Sequence, residues 1–264
     1  MSMMRRALIT CACTVAAAAV AAPPALAGVE DALSGRAPSA RATLAACHFA
    51  LPQVDRFAVF GGSMASMRNG KDRLQMRFDV YKRVPGSLVF QRIQAPGLGT
   101  WNKADAGVTK YRFRQKVENL PAPAVYRAVV SFRWLNATTG KVFARTKRTT
   151  VSCLQPDPRP DLRVGRVTGT RLVGGNVRYD VVVRNDGRSR ASDFDVVLNV
   201  GGLAQPPSTL AGLAAGTRQV VRITGPRCDP GSQLRVDVDP DNRVSEADET
   251  NNSLTVDCPV PSGS

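Results

Sequence analysis

The sequence predicts an all-β protein made of two immunoglobulin-like antiparallel β-sandwich domains in tandem. Three observations carry that expectation. Apolar residues recur at every second position in run after run, the runs are separated by Gly, Pro and Asn, and no stretch shows the 3.6-residue period of an amphipathic helix. With 264 residues the chain has room for two domains that each bury a core.

Taken in order, the chain opens with Arg5 and Arg6, an apolar run over 7–22 and an Ala-x-Ala-type site ending at Ala27. That is the pattern of a secretory signal peptide spanning 1–27. Residues 28–42 hold few large apolar groups and read as a flexible spacer, which places the first domain at 43–153. Within it Leu74, Met76, Phe78 and Val80 alternate with Arg73, Gln75, Arg77 and Asp79, and Tyr111 and Phe113 alternate with Lys110, Arg112 and Arg114. The plainest strand carries Tyr126, Ala128, Val130, Phe132 and Trp134, and a turn at 136–140 leads into a return strand at 142–153. The pair reads as a hairpin, and its Tyr-x-Ala-x-Val segment resembles the penultimate strand of immunoglobulin-like and fibronectin-like domains.

Pro156, Pro158 and Pro160, three prolines within five residues, make 154–159 an extended, fairly stiff linker into the next segment. A second domain is expected at 160–258, with a polar tail at 259–264. Its strands are read at Val177, Tyr179, Val181 and Val183, at 194–200, at 218–224, and in two runs, 234–238 and 254–256, that flank an acidic turn-rich loop. In that loop Asp239 to Val244, then Glu246, then Asp248-Glu249-Thr250-Asn251-Asn252 resemble the closing hairpin of the bacterial CARDB family, the cell adhesion related domain found in bacteria, with Asp248 in place of the usual Asn. The opening Pro160-Asp161-Leu162-Arg163-Val164 and the Asn185-x-Gly187 turn are similar to that family as well. The resemblance implies a β-sandwich outside the cytoplasm and an adhesion-related role.

Outside the leader there are four cysteines, an even number in a chain read as exported. Of the three pairings four cysteines allow, Cys47 with Cys153 and Cys228 with Cys258 keep each bond within one domain. No pair has Cys-x-x-Cys spacing, which argues against a zinc knuckle or a redox centre. No run reaches the ~18 apolar residues a spanning helix needs.

The net charge of +15 is unevenly placed. Residues 28–153 carry 21 basic and 7 acidic groups, whereas 154–264 carry 13 and 14. The excess therefore belongs to the first domain, and so does the question of function. If Tyr111 and Phe113 point inward, then Lys110, Arg112, Arg114 and Lys116 share the outer face of one strand, as Arg73 and Arg77 share another. An immunoglobulin-like strand order would bring both sets to one sheet, a surface suited to cell-wall teichoic acid or an acidic glycan. The cations are not interleaved with exposed aromatics along the sequence, which argues against nucleic acid. The bland alternative is a solvated face.

Catalysis is poorly supported. The one histidine, His48, follows Cys47, and neighbouring residues on a strand face opposite ways, so they form no dyad. His48 reads as a surface residue near a strand start. Paired carboxylates occur only in the 237–249 loop, where solvated turn residues are the simpler account; a carboxylate-dependent extracellular hydrolase stays as the enzyme alternative. Asp237, Asp239 and Asp241 begin like a calcium loop, but Asn242 stands where such a loop needs Gly and strands flank it. A weak calcium site at these three residues is the one metal expectation, with no other cofactor. Its structural alternative is that Asp and Asn side chains fix the turn. The sequence thus reads as a secreted or envelope-associated, non-enzymatic binding protein. Its partner is expected to be a cell-surface or envelope protein or an anionic polymer.

Overall fold

The computed structural model describes residues 39–259. The signal peptide expected at 1–27, the spacer up to residue 38 and the tail beyond 259 lie outside these residues.

Nine strands form the first sandwich: β1 (Ala40–His48), β2 (Phe57–Ala65), β3 (Asp72–Arg83), β4 (Gln91–Arg92), β5 (Trp101–Lys103), β6 (Lys110–Glu118), β7 (Ala124–Asn136), β8 (Val142–Thr149) and β9 (Cys153–Gln155). One sheet has the order β1-β2-β6; the other runs β4-β3-β7-β8, with β5 also on β3 and β9 also on β7. Every pairing is antiparallel. The alternation seen in the sequence is what fills the space between them. Leu74, Met76, Phe78 and Val80 of β3 and Tyr126, Ala128, Val130, Phe132 and Trp134 of β7 are all buried against Phe60 and Met64 of β2. Each large side chain so buried contributes about 1.5–3 kcal/mol. Gly62 lets the sheets close, since a Cβ there would stand 2.7 Å from the Met76 sulfur. The polar tips of the core aromatics are satisfied: Tyr126 Oη donates to the Pro121 carbonyl and Trp134 Nε1 to the Ala65 carbonyl, both at 2.7 Å. Burial pushes the Tyr126 phenol up to about 12.

Two boundaries differ from expectation. The first strand starts at Ala40, inside the segment read as spacer, because Ala40 and Ala42 are small enough to look like linker while packing on the core with Leu44. At the other end Leu154 and Gln155, read as linker, belong to β9 and pair with Val125 and Ala124 of β7. Gln155 is buried and donates to the His48 carbonyl at 3.0 Å. The rest of the linker is pinned rather than loose. Arg159 pairs with Asp157 at 2.9 Å, the Arg159 carbonyl accepts from Arg188 N at 3.0 Å, and the Pro160 carbonyl accepts from Ala247 N at 2.8 Å.

The second sandwich holds β10 (Leu162–Arg171), β11 (Val177–Asn185), β12 (Phe194–Val200), β13 (Leu203–Ala204), β14 (Ser208–Leu210), β15 (Arg218–Gly225), β16 (Gln233–Val238) and β17 (Ser253–Asp257). A β10-β11-β15 sheet faces a β13-β12-β16-β17 sheet in which β14 also pairs with β12. Tyr179, Phe194, Leu198, Leu234 and Val236 lie at the centre of its core. Both expected disulfides are formed, Cys47 to Cys153 and Cys228 to Cys258. The first joins β1 to β9. With partners 106 and 30 residues apart in sequence, they stabilise by about 4–5 and 3–4 kcal/mol on the loop-entropy account.

Candidate anion-binding faces of the first sandwich

Strand pairing decides which cations can act together. β6 pairs with β2, whereas β3 pairs with β7, so Lys110, Arg112, Arg114 and Lys116 lie on one sheet and Arg73 and Arg77 on the other. The single basic face expected from the sequence is therefore two faces, on opposite sides of the sandwich. The reason is topological: β3 forms its long ladder with the β7 hairpin, and β6 returns to the sheet that begins with β1 and β2.

On the three-stranded sheet Tyr111 and Phe113 turn toward the core and the four cations of β6 are exposed, as the alternation implied. Arg41 of β1 joins them, because Arg112 lies opposite Ser63 and Ser63 opposite Arg41. Lys116 is partly neutralised by Glu118 at 2.5 Å and sits over the Phe57 ring at 4.6 Å. Lysines along such an edge strand also discourage pairing with another chain.

The six-stranded sheet carries a more structured arrangement. Residues directly opposite across antiparallel strands share a face. One row across β5, β3, β7 and β8 is Trp101, Arg77, Ser131 and Lys147; the next is Lys103, Gln75, Arg133 and Arg145. Together with Val142 and Thr146 these strands enclose a cleft of about 250 Å³ lined by Arg77, Trp101, Ser131, Arg133, Arg145 and Lys147. The Arg133 guanidinium lies over the Trp101 ring at 3.8 Å and that of Arg77 at 5.3 Å. Arg133 Nε donates to Gln75 Oε1 at 2.8 Å, which fixes the guanidinium while leaving its two Nη groups. Arg77 pairs with Asp79 at 3.1 Å, and Asp79 also takes Arg92 at 2.5 Å. Arg133, Arg145 and Lys147 have no carboxylate partner among the described residues. Burial first, then the charges of Arg77 and Arg145, pull the Arg133 guanidinium below its usual value. The charges of Arg77 and Arg145 thus add to the cost of burying this guanidinium. Elsewhere in the first sandwich Arg83 and Arg127 flank Phe90 at 5.1 and 3.8 Å. Aromatics and cations separated in the sequence thus meet in space, each of these two rings lying under guanidinium groups.

In the acidic hairpin Asp237 and Asp239, two of the three residues expected to bind calcium, accept hydrogen bonds from protein donors. Asp237 accepts from Arg235 Nε at 2.8 Å and from Ser253 Oγ at 2.5 Å. Asp239, buried at a positive φ of 48°, accepts from Arg243 N at 3.1 Å and Val244 N at 2.8 Å. Asp241 is exposed. The described residues contain no group of three or more His, Cys, Asp or Glu that could hold a metal ion. Glu246 corrects the expectation that the loop carboxylates are solvated: it is 1% exposed, and burial pushes it up to about 7. Its oxygens accept from Leu162 N and, at 2.8 Å, from Asn252 Nδ2. A carboxyl so enclosed ties the closing hairpin to β10 through these two hydrogen bonds. His48 closes β1 rather than starting a strand, its ring stacked on Phe57 at 5.0 Å, and Cys47 beside it is in a disulfide. They form no nucleophile and base pair.

The sequence reading missed Trp101, Arg133, Arg145 and Lys147. Their signal was faint: Ser131-x-Arg133 and Arg145-x-Lys147 alternate on the two arms of the hairpin, but only the register, with a bulge at Trp134/Leu135, shows that Arg145 stands opposite Arg133. Trp101 comes from a three-residue strand with no periodicity to read.

The CARDB family model matches residues 159–256. Among solved structures the chain is similar to a CARDB domain from Pyrococcus furiosus in complex with di-metal ions, at 26% identity over 38% of this chain and 93% of that one, with a TM-score of 0.34. It is also similar to the class 5 fimbriae chaperone CfaA, at 11% identity over 84% of this chain and 100% of that one, with a TM-score of 0.28. A third similarity is to the CsuC-CsuE chaperone-tip adhesion subunit pre-assembly complex of Acinetobacter baumannii, at 13% identity over 68% and 85%, TM-score 0.24. No curated protein matches. Among the described residues no helix is long and apolar enough to cross a membrane.

Proposed function

Taking residues 159–256 as a CARDB domain, we propose that the chain is a non-catalytic, exported bacterial surface or envelope protein whose basic first sandwich binds an anionic extracellular polymer. The CARDB domain supplies the adhesion-related context, and its near-balanced charge leaves the electrostatic work to its neighbour. The observation that carries the reading is the pair of cationic outer faces on the first sandwich, all exposed or half-exposed: Arg41, Lys110, Arg112, Arg114 and Lys116 on one sheet, and on the other a set that includes Arg73, Arg77, Lys103, Arg133, Arg145 and Lys147. A polymer running past such a body releases counterions at every contact, so binding is strong at low salt and falls steeply as salt rises. The two disulfides support an oxidising compartment, where acidic glycans and teichoic acids are found.

The test is binding of the full disulfide-bonded chain to polygalacturonate and to neutral dextran over a salt series. The expected result is saturable binding to polygalacturonate whose logarithm falls linearly with log salt, and none to dextran. Binding that ignores salt would overturn the reading in favour of a protein partner paired along an exposed edge such as β6, which among the described residues pairs only with β2.

A further inference from the structure

We propose that the cleft over Trp101 is a discrete site for one oxyanion group, a carboxylate or a phosphate, carried on an extracellular glycan chain. The proposal rests on the reading of the first sandwich as an anionic-polymer binder and adds where one repeat of the polymer is held.

Four observations converge on this cleft and on no other part of the two basic faces. First, the Ser131 hydroxyl lines the cleft, is only 5% exposed, and has no hydrogen-bond partner among the described residues. A buried hydroxyl left unpaired costs about 1–3 kcal/mol, which a ligand oxygen would recover. Second, Arg133 is ordered before any ligand arrives, its Nε held by Gln75 and its plane carried on the indole at 3.8 Å. The Nη pair is thereby a preset fork for an oxyanion, and little side-chain entropy is lost on binding. Third, Lys147 lies directly across from Ser131 and Arg145 across from Arg133, and neither has a carboxylate partner among the described residues, so charge and hydroxyl face the same volume. Fourth, the cleft is concave and small. Its ~250 Å³ equals about eight waters at ~30 Å³ each, enough for one charged group with part of its sugar.

The three-stranded face also has a hollow, lined by Arg41, Lys110 and Arg112, but none of its buried polar groups lacks a partner among the described residues. It fits general charge attraction. An oxyanion is favoured over a nucleobase because the ring a base would stack on is already covered by the Arg133 guanidinium.

The experiment compares three variants of the full disulfide-bonded chain at one fixed salt concentration, each with thermal unfolding as a control. The first is Arg133→Gln/Arg145→Gln/Lys147→Gln in the cleft. The second is Lys110→Gln/Arg112→Gln/Arg114→Gln on the opposite face, which removes the same charge. The third is Ser131→Ala. Probes are polygalacturonate for carboxylate, polyphosphate for phosphate, and a single-stranded oligonucleotide. The expected result is that the cleft triple weakens binding of one glycan-type or phosphate probe by about tenfold or more beyond the loss in the opposite-face triple, as fits lost charge-assisted hydrogen bonds. Ser131→Ala weakens the same probe severalfold with an unchanged or raised melting temperature, whereas a hydroxyl with a purely structural role would lower it. Equal losses in the two triples would overturn the cleft as a site while leaving the basic sandwich as a polymer binder. Preference of the cleft for the oligonucleotide would overturn the glycan assignment. Failure of the wild-type chain to bind any probe would overturn both readings together. Should the cleft triple not fold, Ser131→Ala alone decides between them.

Discussion

Asn185 has no exposed surface, yet its side chain serves four backbone groups. Its amide donates to the carbonyls of Ser189 and Leu213, both at 2.9 Å, and its oxygen accepts from Asp161 N at 3.1 Å and Gly187 N at 3.0 Å. Gly187 completes the device, because a Cβ there would lie 2.4 Å from Asp161 N. Replacing Asn185 by Ala leaves several buried donors and acceptors unpaired, so the expected loss is about 3 kcal/mol or more in urea unfolding. A loss below about 1 kcal/mol would mean that water replaces the side chain. The Asn-x-Gly spacing is legible in the sequence as a turn, but its reach to the residues before β10 is not, since that contact is made only once the sandwich closes. The same holds for Asp239: its place in the acidic loop is visible, while the backbone groups it accepts from are not. Trp101 is harder still, because a single aromatic beside no periodic run carries no signal of the strand it joins.

At the scale of the element, the closing hairpin of β16 and β17 is fastened to β10 through Glu246. Its carboxyl is raised from an ordinary 4.5 to about 7, chiefly by burial, with Glu249 and Asp239 adding to the rise against the hydrogen bonds from Leu162 and Asn252. The folded state therefore holds this proton more tightly than the unfolded chain does. Its contribution to stability is fully present below about 4.5 and is lost as pH rises through about 7. Glu246→Gln should remove that dependence, so the difference in urea midpoint between wild type and variant should change steadily across this window. A difference that stays flat would show that the carboxyl titrates normally. Strand runs with large alternating side chains, as in β3, β7 and β11, are legible from their period. The start of β1 is not, because alternating alanines resemble a spacer, and β9 is hidden because Leu154 and Gln155 stand against a run of prolines.

For the whole molecule, the charge asymmetry is plain in the sequence and its geometry is not. Counting charges locates the excess in the first sandwich, but which cations share a face depends on sheet order, and β3 and β6 fall on different sheets. The expected single surface becomes two, one an edge-type face and the other a cleft built on Trp101. A protein so arranged presents positive potential on two sides of one sandwich while the second sandwich, which the CARDB family model matches, stays nearly neutral. Amide hydrogen exchange of the full chain with and without saturating polygalacturonate tests this most directly. The account predicts protection centred on β5, β7 and β8, with the closing hairpin between β16 and β17 unchanged. Protection confined to the second sandwich, with the strands around Trp101 unaffected, would contradict it.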